Sequence, residues 1–181
     1  MLLRLLFILS FTLSYAQKTT SEIDTLLIKK NESMKKEMSV EQLILWNKDL
    51  IEVSEERNYA KGEALGYTNI ANILWNNAQY EESIKYLKIA EKKAKETKDD
   101  FTQGKIYIEY AQTYQYMGLS KVAVKYADLA IEHFSKIPDS PYYTRVLSYA
   151  YGCKAFYLYH IDKKEGLKSL HNAVKIFPCC L

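Results

Sequence analysis

Small residues recur at fixed positions over most of the chain, in a pattern that repeats about every 40 residues, as from Ala71 to Ala111. The pattern aligns three segments, at residues 62–98, 102–136 and 142–177. The small residues are Ala71, Ala111 and Gly152 in the first halves, with Ser83, Ala123 and Gly166, then Ala90, Ala130 and Ala173, in the second halves. Aliphatic and aromatic residues stand three or four positions from them, which is the spacing of one face of an α-helix.

Each segment is therefore predicted to form two antiparallel helices, because small side chains allow two helices to cross closely. One such pair cannot bury its apolar face alone, so the pairs are expected to stack. Breaks fall at residues 95–100, which are charged, and at 137–141, where Ser140 is placed to cap a helix that Pro141 begins. Another break, at residues 55–59, follows a predicted helix over about 40–54. The polar residues of about 22–38 are expected to cap the open end of the stack.

The pattern resembles the tetratricopeptide-repeat family, whose motif is a large residue, an aliphatic-small pair, an aromatic residue, Gly before the turn, another aromatic residue, and then Ala in the second helix. The matching residues are Tyr67, Ile70, Ala71, Leu74, Ala78, Tyr80, Ser83 and Ala90, then Tyr107, Tyr110, Ala111, Tyr114, Gly118, Ala123 and Ala130. The resemblance implies an all-α, right-handed solenoid of antiparallel helix pairs, with about 3 to 4 repeats over residues 61–178. The spacing exceeds the family's usual length of about 34 residues, and Ala78 replaces the usual Gly. The longer spacing resembles variants in bacterial sensory and regulatory proteins.

The first 16 residues have the features of a secretory signal peptide. Arg4 precedes an apolar run from Leu5 to Leu13, and small residues lead to Ala16. We therefore expect a protein that is periplasmic or extracellular, with an uncleaved membrane anchor as the alternative. The predicted division is a signal peptide at 1–16, a polar leader or capping helix at 17–38, a divergent half-repeat at 39–60, the repeats at 61–178 and a tail at 179–181.

The resemblance also implies a ligand site, because the first helices of such pairs line a concave groove. By this register the groove residues are Thr68, Asn72, Trp75, Asn76, Ile108, Gln112, Gln115, Tyr116, Tyr149, Cys153, Phe156 and Tyr157. Side-chain amides can pair with the backbone of an extended peptide whatever its sequence, and aromatic rings can anchor its apolar side chains. Lys105 and Lys154 are candidates for the rim. The expected partner is therefore a protein or peptide segment.

Charge and motifs favour no other class of function. The net charge is +3, from 25 basic and 22 acidic residues, and without a basic stripe no direct contact with nucleic acid is expected. The sequence has no phosphate-binding loop, dinucleotide fingerprint or nucleophile elbow, and His133, His160 and His171 are too scattered for a helix-borne metal pair. We expect no enzymatic activity, cofactor or metal. Adjacent Cys179 and Cys180 could pair between chains or form an incidental tail.

Two functions fit these features. The first is a self-contained, non-enzymatic adaptor that binds a protein segment in its groove. The alternative is the truncated N-terminal sensory region of a membrane-anchored helix-turn-helix transcriptional regulator, since similar regulators place a signal segment and such repeats before their membrane helix. The last predicted helix is followed by no obvious polar capping helix, so its apolar face would be exposed. That end is thus a candidate surface for a homodimer.

Overall fold

The computed structural model describes residues 19–177, apart from residues 31, 32, 34, 35 and 139. The predicted signal peptide, the tail, Cys179 and Cys180 lie outside the described residues. Within these described residues the fold consists of eight α-helices and one short π-helix, with no β-strand. The helices are α1 (Thr20–Asp24), the π-helix (Thr25–Lys30), α2 (Val40–Glu56), α3 (Ala60–Asn76), α4 (Tyr80–Ala94), α5 (Asp100–Tyr116), α6 (Ser120–Ser135), α7 (Pro141–Leu158) and α8 (Lys163–Ile176).

Polar side chains fix where several helices begin. The Ser140 hydroxyl accepts a hydrogen bond from the backbone N–H of Tyr143, and Pro141 opens α7, as the sequence predicts. Ser39 and Gln42 form a reciprocal capping box at the start of α2. These side chains satisfy N–H groups that have no partner within the helix, so each cap selects one starting residue.

Three of the turns between helices share one backbone conformation. Asn58, Ala78 and Gly118 have positive φ angles of 51°, 58° and 78°. In all three turns the next N–H donates to a carbonyl oxygen five residues earlier, at 2.9 Å. This arrangement is a left-handed helix ending, which favours Gly because it carries no Cβ. The turn at Ala78 therefore has the same backbone conformation as the turn at Gly118, although Ala carries a Cβ.

The small residues of the repeating pattern lie where neighbouring helices meet. From α2 onward each helix packs against the next, and α5 also contacts α3 and α7. Ala71 and Ala111 are completely buried, and a Cβ added to Gly66 would overlap the side chain of Ile51 across the contact of α2 with α3. The all-α prediction is confirmed, and successive helices pack in a repeat-like arrangement.

The segment before α2 packs against α2 and α3. Ile23 and Leu27 are fully buried, although the surrounding sequence is polar. The Asn69 amide donates to the Leu27 carbonyl oxygen at 2.9 Å, and Tyr59 donates to the Asp24 carboxylate at 2.7 Å. Thus Thr20–Lys30 forms a docked leading helix. None of the described helices is both long and apolar enough to cross a lipid bilayer.

Candidate functional site

An open cleft of about 560 Å³ lies between the second halves of α3 and α5, one side of α7 along most of its length, and one face of α8. Aromatic residues and glutamines make up half of the residues in its wall. The lining residues are Trp75, Gln112, Gln115, Tyr116, Arg145, Ser148, Tyr149, Gly152, Cys153, Phe156, Tyr157, Leu170, Ala173 and Val174. The leading helix lies at the other end of the same helices, where it borders Lys61, Phe101 and Tyr142. The cleft is therefore the part of this surface that the leading helix leaves open.

Stacked and exposed aromatic rings give the cleft flat apolar surfaces. The rings of Trp75 and Tyr116 stack with centroids 5.1 Å apart and planes 27° apart, and Tyr80 extends the stack. Phe156 is 68% exposed, and its ring contacts that of Tyr157 edge-on. Exposed rings held by other rings lose little freedom on binding, so they can bury apolar groups of a ligand at low entropic cost.

A buried carboxylate holds Trp75 in place. Glu109 is nearly buried, and one of its oxygens accepts hydrogen bonds from the Trp75 indole N–H at 2.7 Å and from the Asn72 amide at 2.8 Å. Hydrogen bonds to an ionised acceptor are strong, and they offset the cost of removing the carboxylate from water. Glu109 on α5 thereby fixes the orientation of an indole from α3 at the edge of the cleft.

The polar atoms of the cleft can accept as well as donate hydrogen bonds. The Gln112 amide donates to the Tyr149 hydroxyl. The side-chain oxygen of Gln115 is buried and accepts no hydrogen bond in this structure, so a ligand N–H could bond to it only after the side chain turns toward the cleft. Burial raises the pKa of the Cys153 thiol, which keeps it protonated and poorly nucleophilic at neutral pH.

The structure brings together most of the residues that the sequence predicted for this groove. Eight of them line the cleft: Trp75, Gln112, Gln115, Tyr116, Tyr149, Cys153, Phe156 and Tyr157. Asn72 does not line the cleft, and its amide donates a hydrogen bond to the Glu109 carboxylate. Asn76 is exposed, and its amide donates to the Asn72 carbonyl oxygen at 2.7 Å. The cluster thus spans three helices that are far apart in sequence.

Thr68 and Ile108 do not face the cleft as expected, because their side chains are only 1% and 5% exposed. The Thr68 hydroxyl donates to the Ala64 carbonyl oxygen within its own helix, and Ile108 belongs to the main hydrophobic core. Lys154 was expected at the rim, but it is paired with Asp128 at 2.9 Å and with Glu165 at 3.6 Å. Its charge is therefore largely engaged inside the fold.

Sequence reasoning missed the contribution of α8 to the cleft. Leu170, Ala173 and Val174 line one side of it, although the second helix of a pair was not expected to reach the groove. Spacing at three and four residues places Leu170 beside Leu167 and Val174 in one row. This apolar row was the sequence feature from which the contribution of α8 to the cleft could have been predicted.

In the described part of the chain, no group of three or more His, Cys, Asp or Glu side chains could hold a metal ion. Comparison of the chain with known protein families, curated proteins and solved structures gives no match.

Proposed function

We propose that this protein is a non-enzymatic interaction scaffold that binds an extended peptide segment of another protein in the cleft. In this proposal the helix pairs form a right-handed solenoid of the tetratricopeptide type, and α3, α5 and α7 line its concave face. The protein acts after export, so its partner is a periplasmic or extracellular protein. The observation that carries the proposal is the aromatic cleft itself, which has the amide side chains of Gln112 and Gln115 in its wall.

The chemistry of the cleft suits a peptide better than a small charged metabolite. Its polar groups are mostly uncharged amides and hydroxyls, with Arg145 as its single formal charge. Gln112 and Gln115 can pair with peptide N–H and C=O groups, and the rings of Tyr116 and Phe156 can bury an apolar side chain between them. The expected ligand is therefore a short extended segment with at least one large apolar residue.

Selection from a phage-displayed library of short random peptides tests this proposal on the purified protein. A selected peptide would then be labelled, and its affinity measured by fluorescence anisotropy. We expect Phe156→Ala and Tyr116→Ala each to raise Kd at least about tenfold, since exposed aromatic anchors dominate such contacts. Both rings are exposed, so their truncation should leave the helical circular dichroism unchanged.

The matched control is Leu45→Ala, which truncates an exposed apolar side chain on α2, away from the cleft. It should leave the affinity of the selected peptide unchanged. Failure to enrich any peptide above an empty surface would count against the proposal. So would a selected peptide that binds the Phe156 and Tyr116 variants as tightly as the unchanged protein.

A further inference from the structure

The outer side of α7 and α8 carries a second apolar surface, which we call the terminal face. It consists of Gly152 and Phe156 on α7, Tyr159 directly after α7, and Leu167 and Leu170 on α8. A groove of about 270 Å³ runs between the two helices on this face. Gly152, Phe156 and Leu170 lie on the edge that this groove shares with the aromatic cleft, whereas Leu167 and Tyr159 line the groove alone. Substitution of Leu167 therefore tests the terminal face without altering the cleft.

Earlier helix pairs show what normally covers these positions. Leu87 and Ala127 occupy the repeat positions that correspond to Leu170, and both are fully buried, whereas Leu170 is 48% exposed. Leu87 is buried in a cluster with Ile106 and Tyr110 of α5, the first helix of the next pair. The terminal face thus has the shape that receives one further helix.

The same comparison holds for the small residues. Ala71 and Ala111 are completely buried, but a Cβ added to Gly152, their counterpart, would meet no atom within 4 Å. Close backbone approach by another helix needs a small residue at such a position. Gly152 therefore leaves room for a helix to lie across α7.

Basic side chains border the terminal face. Helical spacing places Lys164, Lys168 and Lys175 in a row beside the row formed by Leu167 and Leu170. The helix α8 carries four lysines but only one acidic residue, Glu165. The Glu165 carboxylate already lies 3.6 Å from the Lys154 Nζ and 3.7 Å from the Lys168 Nζ. The border is therefore positively charged, and a ligand with acidic flanks would complement it.

From these features we infer that the terminal face binds an amphipathic helix of another protein, with one apolar stripe and acidic residues along its flank. The stripe replaces the contacts that α5 and α7 make with the preceding pairs, and the acidic flank pairs with the lysine row. A second copy of this chain fits less well, because its own α8 carries four lysines and a single acidic residue, Glu165, and so offers no acidic flank to the lysine row. This inference goes beyond the proposed peptide cleft and does not depend on it.

A synthetic helix provides the test. The probe is a labelled peptide of 18 residues, the length of α7, with leucine at three- and four-residue spacing, glutamate beside the leucines and a staple on its far side. A second probe carries lysine in place of each glutamate. Anisotropy with the purified protein should show at least about tenfold tighter binding of the glutamate probe, and its affinity should fall as salt is added.

Leu167→Gln should weaken binding of the glutamate probe at least about tenfold, because it places an amide in the apolar contact. Leu45→Gln is the matched control, since Leu45 and Leu167 are both 58% exposed, and it should change nothing. Tyr116→Ala, in the cleft, should also leave this affinity unchanged. Lys164→Gln combined with Lys168→Gln should weaken binding about fivefold.

Several results would overturn the inference. Equal binding of both probes would remove the acidic requirement, and loss of binding in Tyr116→Ala but not in Leu167→Gln would move the probe into the cleft. Light scattering that shows a dimer in the unchanged protein and a monomer in Leu167→Gln would make a second copy the occupant. The terminal face would instead be a lipid-binding surface if phosphatidylserine vesicles bound the unchanged protein but not Leu167→Gln, and the glutamate probe bound neither protein.

Discussion

At the scale of single residues, Asn69 connects three parts of the fold. Its amide lies on α3 and donates to the Leu27 carbonyl oxygen at 2.9 Å and to the Asn47 side-chain oxygen at 3.2 Å. Asn47 in turn donates to the Leu43 carbonyl oxygen within α2. Asn47 and Asn69 are both buried, so these hydrogen bonds replace water and fix the leading helix against α2 and α3.

We expect Asn69→Ala to lower the free energy of unfolding by about 1–3 kcal/mol, because it removes the donor from buried acceptors. Asn76→Ala is the matched control on the same helix, and its exposed side chain should cost less than about 0.5 kcal/mol. Urea denaturation followed by circular dichroism measures both values. Equal effects of the two substitutions would show that the buried amide does not hold the leading helix.

The residues of the cleft could be predicted only as far as the helical register allowed. Register placed Trp75, Gln115 and Phe156 on the same side of their helices, and they do line one cleft. It misplaced Thr68, because Thr68 lies two turns before Trp75 on α3, where this side of the helix is buried. Glu109 could not be identified from sequence, since its bond to Trp75 joins residues on different helices.

At the scale of elements, the three left-handed turns differ in their residue but share their geometry. A residue other than Gly in this conformation carries a steric cost of about 1–2 kcal/mol. We expect Ala78→Gly to raise the free energy of unfolding by about 1 kcal/mol, and Gly118→Ala to lower it by a similar amount. A Cβ at Gly118 would meet nothing within 4 Å, so its effect would come from the backbone alone.

Thermal and urea denaturation of these two variants check the prediction. The two changes in the free energy of unfolding must have opposite signs, because one substitution removes a Cβ from a residue with positive φ and the other adds one. A loss of stability in Ala78→Gly would mean that the extra freedom of Gly in the unfolded chain outweighs the strain at this turn.

The helices themselves were largely predictable, since caps and breaks punctuate a clear three- and four-residue spacing. Residues 40–54 were predicted as a helix, and α2 spans Val40–Glu56. The leading helix was less predictable, because its few apolar residues, such as the buried Ile23 and Leu27, stand in a short segment with polar residues on both sides. Its position depends on tertiary contacts such as that of Asn69, which have no local signal.

At the scale of the whole molecule, buried tyrosines make the folded protein less stable at alkaline pH. Burial is the main cause that raises the pKa of Tyr110 and of Tyr157 far above the ordinary value, and both rings are buried. In the unfolded chain tyrosine titrates near pH 10. Above that pH the unfolded chain loses protons that the folded chain retains, so stability falls as pH rises.

We expect the free energy of unfolding to be steady up to about pH 9 and then to fall by about 1.4 kcal/mol per pH unit for each such tyrosine. Urea denaturation between neutral pH and about pH 11 measures the fall. Tyrosinate absorbance gives an independent measure, because unfolding at high pH should raise it. If all 16 tyrosines titrate together near pH 10 in the folded protein, the explanation fails.

The most direct test of the central claim, that the cleft is the ligand site, uses Trp75 as the reporter. The chain has two tryptophans, so Trp46→Phe leaves only Trp75, which stacks on Tyr116 at the edge of the cleft. Titration with a phage-selected peptide should change Trp75 emission saturably, with the Kd given by anisotropy, and Phe156→Ala should weaken both signals equally. A peptide that binds by anisotropy while Trp75 emission stays constant would place the ligand on another surface and contradict the account.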